Sequence, residues 1–124
     1  GKPLVKGAQH VEHAMCQAYD LVVLSNVLEH VPDPLGMLER VAAALAPGGR
    51  LYIEVPFEAV MMACEADAAS WRSKRHWHEH VNFFSPAALQ EVTRRAGLQV
   101  LDCQRIALPD GSGAVQLGMV CERA

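Results

Sequence analysis

Hydrophobic and polar positions first become regular at Tyr19. Tyr19 to Ser25 is a continuous apolar run containing Val22 and Val23, which predicts a strand covered on both faces. Asp33 follows as a candidate N-cap, and Pro34 suits the first position of a helix. Leu35, Leu38, Val41, Ala42 and Leu45 then recur on one helical face. Pro47, Gly48 and Gly49 stop that helix, and Arg50 to Val55 reads as a second strand ended by Pro56. Strand, helix, strand is the unit of a parallel sheet. Its polar elbow falls where the first strand ends, the place where open α/β sheets bind ligands.

The pattern continues downstream. Phe57 to Trp71 is rich in alanine and methionine and predicts a helix, with Met61 and Met62 as gap-filling core. Ser85-Pro86 repeats the cap-then-proline signal ahead of an apolar stripe of Leu89, Val92 and Ala96 that ends at Gly97. Leu98 to Ile106 predicts a strand, 109–113 a turn, and Ala114 to Cys121 a last strand. In that last strand Val115, Leu117, Met119 and Cys121 alternate with other residues. Strands joined by so short a turn pair antiparallel. Residues 1–18 are undecided: Leu4 and Val5 suit a short strand, Gly7 to Gln9 a loop, and Val11 to Ala18 a weak helix. The expected class is α/β, with parallel strands, an antiparallel C-terminal strand pair and helices packed on the sheet. No internal repeat or second domain is visible.

Composition narrows this picture only a little. A chain of 124 residues that is 51% hydrophobic has ample material for one core. A formal charge of -3 offers no broad footprint for nucleic acid. The one basic cluster, Arg72, Lys74 and Arg75, reads as a solvated helix end, with phosphate binding as the alternative. The four cysteines, Cys16, Cys64, Cys103 and Cys121, form no C-x-x-C pair, so a reduced, cytoplasmic protein is expected. No apolar run is long enough for a bilayer, so neither a signal peptide nor a membrane partner is expected.

The order of a strand, Asn-x-Leu-Glu-His-Val-x-Asp-Pro over residues 26–34, a helix, Pro-Gly-Gly and a strand resembles the second half of class I S-adenosylmethionine-dependent methyltransferases. The resemblance goes on through a helix, His-Glu-His-Val-Asn-Phe-Phe-Ser-Pro over residues 78–86, another helix and an antiparallel strand pair. It covers most of residues 19–122, and the elements look like the family's fourth to seventh strands. The resemblance therefore implies a partial Rossmann-like sheet, with residues 19–124 as the C-terminal half of a methyltransferase-like domain. It also implies S-adenosyl-L-methionine as cofactor and a small-molecule acceptor, since the histidine segment is similar to that of small-molecule methyltransferases, including some that act on sugar nucleotides. On this footing Ser25, Asn26, Leu28, Glu29 and His30 are the expected cofactor-binding positions. Polar groups and backbone carbonyls at a strand end suit a sulfonium that carries a zwitterionic tail. The plainer alternative is that Asn26 caps the elbow and Glu29 and His30 are solvated turn residues.

One departure stands out. The family holds the adenosine end with a glycine-rich loop after its first strand and an acidic residue ending its second. No Gly-x-Gly precedes Tyr19. Gly7-Ala8-Gln9 is at best a loop near the adenine, and no strand signal leads into Glu12. The chain also opens Gly-Lys-Pro without a methionine. The expectation is an enzyme half that needs a missing N-terminal half, or a homo-oligomer, to complete its site.

His76, His78 and His80 alternate in a segment that also holds Trp77, Glu79, Asn82, Phe83 and Phe84. The resemblance places this segment over the acceptor, with His80 first and His78 second as the base. Trp77, Glu79, Asn82 and Phe83 are the expected substrate contacts, with Phe84 as a further apolar wall. Methyl transfer is an in-line displacement and needs alignment above all. A base helps where the acceptor must lose a proton, and a neutral imidazole suits that task. Two alternatives stay open. Alternate histidines of an extended chain share a side and suit zinc, although no other ligand set reinforces this. Or they hydrogen-bond to backbone and hold the start of the helix at Ser85. A third reading of the whole chain is a non-catalytic module, pairing with another chain through the exposed edge of its first strand.

Overall fold

The computed structural model describes residues 18–58, 61, 63, 67, 69 and 81–124. Four strands and two α-helices make up the described fold: β1 (Tyr19–Ser25), α1 (Pro34–Ala44), β2 (Leu45–Phe57), α2 (Pro86–Arg95), β3 (Leu98–Ala107) and β4 (Val115–Arg123). A short 3-10 turn, Leu28–His30, lies between β1 and α1. The sheet order is β1-β2-β4-β3, with β1 and β2 parallel and both pairings of β4 antiparallel. This is the expected α/β arrangement.

Both helix starts follow from the residues that precede them. Asp33 accepts a hydrogen bond from the Gly36 amide at 3.0 Å, and Ser85 accepts one from Ala88 at 3.1 Å, each with proline at the first helical position. The buried stripe of α1 (Met37, Leu38, Val41), Leu89 of α2 and Ala96 just past its end meet Leu24, Leu51, Ile53, Val55, Leu117, Met119 and Cys121 in one apolar cluster. The strand residues in that cluster share one side of the sheet, as the register Leu24 to Ile53 to Met119 requires. Thr93, also buried in α2, satisfies its hydroxyl by donating to the Leu89 carbonyl at 2.6 Å.

Three expectations about elements change. First, α1 stops at Ala44, ahead of the Pro-Gly-Gly turn, and Leu45 already pairs with Tyr19. The ladder slips between Tyr19 and Leu21, whose partner is Arg50, so residues 46–49 form an outward bulge. Gly48 supplies the positive φ of 76°, and a Cβ on Gly49 would lie 2.7 Å from the Tyr19 carbonyl oxygen. Second, β2 runs on through Pro56 to Phe57. At Pro56 the ladder to β1 is already over, since Ser25 pairs with Glu54, and a proline is tolerated where one side of a strand is unpaired. The helix expected from Phe57 therefore cannot start there. Met61 and Ala63 are helical, and most of the rest of that stretch lies outside the described residues. Third, among the described residues β1 is covered on one face only. Leu21 and Val23 are 57% and 40% exposed, because both described helices place their buried side chains on the opposite face.

Candidate functional site

The expected elbow is present at the carboxyl ends of β1 and β2. Ser25 closes β1 opposite Glu54, and Asn26 then takes a positive φ of 54° while its amide donates to the Glu54 carbonyl at 2.8 Å. Asparagine is among the few side chains that adopt this left-handed conformation readily. The chain turns away from the sheet at that point. Ser25, Asn26 and His30 are exposed, whereas Leu28 is fully buried and Glu29 is 2% exposed. Leu28 thus anchors the turn in the core. The Glu29 carboxylate lies 3.3 Å from His30 Nε2, with the imidazole side chain about half open to solvent.

The turn is held from elsewhere in the chain. The Val81 and Asn82 amides donate to the Glu29 carbonyl at 2.8 and 3.1 Å. The side-chain nitrogen of Asn82 donates to the carbonyls of Leu28 at 2.9 Å and Val31 at 2.5 Å. Of the residues expected to face substrate, Asn82 is therefore brought to the cofactor turn. Phe83 is half-buried beside it, and Phe84 packs in the core. His76, Trp77, His78, Glu79 and His80 lie outside the described residues, so neither the base nor the zinc expectation is located. Among the described residues no three metal-ligating side chains come together.

Sequence reasoning passed over two residues here. Tyr52 and Glu54 lie on the sheet face opposite the core, in line with Val23 and Ser25, and the Tyr52 hydroxyl donates to Glu54 at 2.8 Å. Partial burial, and then the nearby Glu54 carboxylate, raise the Tyr52 pKa above the ordinary phenol value. The signal was available in Arg50-Leu-Tyr-Ile-Glu-Val, where polar residues alternate with apolar ones. Cys103 and Cys121 are free thiols, and no described helix is long and apolar enough to cross a membrane.

Comparisons with known proteins agree with this geometry. A sequence profile described as "Methyltransferase domain" matches residues 4–102. The ubiquinone biosynthesis O-methyltransferase of Aeromonas salmonicida is 34% identical over 104 residues, covering 81% of this chain and 44% of that protein. The enzyme of the same name from Xanthomonas axonopodis pv. citri is 28% identical over 102 residues, with 79% and 43% covered. The chain thus spans less than half the length of these relatives. Among solved structures, the Burkholderia thailandensis 1,6-didemethyltoxoflavin-N1-methyltransferase, bound to 1,6-didemethyltoxoflavin and S-adenosylhomocysteine, superposes with a TM-score of 0.62 at 22% identity, covering 85% of this chain and 44% of that one. A complex of the Haloferax volcanii Trm112 methyltransferase activator with a methyltransferase gives 0.65 at 22% identity, with 86% and 54% covered. These likenesses establish the fold.

Proposed function

The chain belongs to the class I S-adenosylmethionine-dependent methyltransferase family, and on that premise we propose that it forms the methyl-end and acceptor half of an enzyme that methylates a small molecule. One observation carries the reading: the Ser25–Val31 elbow lies at the carboxyl ends of two parallel strands, tied to the residues that directly follow His80. Ligands of open α/β sheets bind in that position. S-adenosylmethionine supplies the electrophilic methyl group when bound. Ser25, Asn26, Glu29 and His30 form the wall beside its methionine end, with Leu28, expected there from the sequence, anchoring that wall in the core. His80, with His78 as the second choice, takes the acceptor's proton, and Trp77, Glu79 and Phe83 border the acceptor, while Asn82 holds the turn.

A hydroxyl on an aromatic ring is the acceptor class to test first. The relatives at 34% and 28% identity are named as O-methyltransferases of ubiquinone biosynthesis, and Trp77 and Phe83 suit a flat apolar ring. The glycine-rich half of the cofactor site is taken to come from a further segment or chain. Free thiols at Cys103 and Cys121 fit a cytoplasmic setting.

Calorimetric titration of S-adenosylhomocysteine into the chain by itself is expected to give weak or no binding. Tight, stoichiometric binding would contradict the incomplete site. A chimera joining this chain to the first half of the Aeromonas salmonicida relative should transfer labelled methyl groups to a catechol, and His80→Ala should suppress that transfer. Transfer unchanged in both His80→Ala and His78→Ala would remove the histidines from the reaction.

The exposed Leu21 and Val23 favour a second reading, a non-catalytic module that pairs with a partner or a second copy through the β1 edge. A strict monomer in solution at high concentration would sink self-association.

A further inference from the structure

The 3-10 turn that carries Glu29 and His30 does little to hold itself. Of its own backbone bonds, His30 to Val27 measures 3.0 Å, while Val31 to Leu28 is long at 3.5 Å. Three residues of 3-10 helix leave their last carbonyls without internal partners. Just before it, Asn26 sits in a backbone region that costs energy for most side chains. Yet Leu28 is fully buried and Glu29 nearly so, which fixes the shape the turn must keep.

The missing donors come from Val81 and Asn82. Their two backbone amides converge on the Glu29 carbonyl, and the Asn82 side-chain amide spans the carbonyls of Leu28 and Val31. One asparagine thereby caps three of the four carbonyls from Leu28 to Val31. A side chain that is both short and a double donor is needed for this. Aspartate has the shape without the protons, and alanine has neither.

We propose that Asn82 is a positioning residue, which sets the Leu28–Val31 turn and couples it to the stretch from Val81 that leads into α2, acting through the turn and not by touching the substrate. The meaning of what the turn positions rests on the methyltransferase reading above; the coupling itself does not.

Hydrogen exchange followed by NMR on the full chain tests this without any ligand, so failure to bind S-adenosylhomocysteine leaves it intact. In Asn82→Ala the amides of His30, Val31 and Val81 should exchange about tenfold faster or more, because the Leu28 and Val31 carbonyls each lose a side-chain donor. Amides of the central strands, at Ile53 and Met119, should keep wild-type protection. Asn82→Asp should be at least as disruptive as Asn82→Ala, since it turns a carboxylate toward two carbonyls. A side chain that merely fills space predicts the reverse order. The His30 ring resonances should move toward exchange-averaged positions in both variants. Wild-type exchange at His30, Val31 and Val81 in both variants would overturn the proposal. So would uniform acceleration across the whole sheet, which would mark Asn82 as a general stability residue.

Discussion

The amide of Asn26 donates to the carbonyl of Glu54 at 2.8 Å, so the last contact between β1 and β2 is made by a residue that has already left its strand. It does so at a φ of 54°. Glycine reaches that conformation freely, asparagine at modest cost and a β-branched residue poorly. Asn26→Gly should therefore keep the fold stable, whereas Asn26→Val should cost about 1–2 kcal/mol. Urea denaturation of the two variants checks this. Near-equal midpoints would mean that the elbow relaxes to another conformation.

Gly49 faces a different restriction. A Cβ there would stand 2.7 Å from the Tyr19 carbonyl oxygen and 2.9 Å from that of Ala46, and both are backbone atoms. The strain cannot be relieved by turning a side chain, so Gly49→Ala should lower stability by about 1–3 kcal/mol, as overpacking does. Gly48→Ala meets no neighbour within 4 Å and suffers only from its positive φ of 76°, so it should cost about 1–2 kcal/mol. Thermal melts of the two single variants separate the causes.

These two sites also show where the sequence could be read and where it could not. The caps at Asp33 and Ser85 and the alternation of Leu117, Met119 and Cys121 are local signals, and the structure carries them out as expected. The polar elbow after Ser25 was legible for the same reason. The bulge at 46–49 was not, because it depends on how Tyr19 and Leu21 pair across the sheet. The partners of Asn82 lie 51 and 54 residues away, beyond any local pattern. The apolar run of β1 announced two covered faces, but its neighbours decide which faces are covered.

Cys121 gives a pH dependence with a definite sign. It is fully buried, and burial first, then the neighbouring Cys103, push its thiol up from 9.0 to about 12. The folded state thus disfavours the thiolate, so Cys121's contribution is fully present below pH 9 and is lost as pH rises toward 12. The slope should approach, at most, about 1.4 kcal/mol per pH unit in that window. Denaturant midpoints across pH 8–11, compared between the wild type and Cys121→Ala, isolate it from Cys103 and Tyr52, which are also raised. A difference that stays constant with pH would count against the buried thiol. In the folded chain Cys121 should also resist alkylation at pH 8, where Cys103, half-buried, reacts sooner.

Leu21 and Leu24 lie on the same strand yet in opposite environments, 57% and 3% exposed. Leu24→Ala removes a side chain from the cluster shared with Leu38 and Ile53, and should cost about 2–5 kcal/mol. Leu21→Thr replaces an exposed apolar side chain with a smaller, polar, β-branched one that suits a strand, and should change stability by about 0.5 kcal/mol or less. That contrast holds only while the second face of β1 meets water. If another segment or a second copy covers Leu21 and Val23, Leu21→Thr should cost more than about 1 kcal/mol, because the transfer of apolar surface is then lost. With a second copy, the cost should also grow with protein concentration. Denaturation of both variants at two protein concentrations, beside sedimentation of the wild type, therefore reads which surface of β1 is covered.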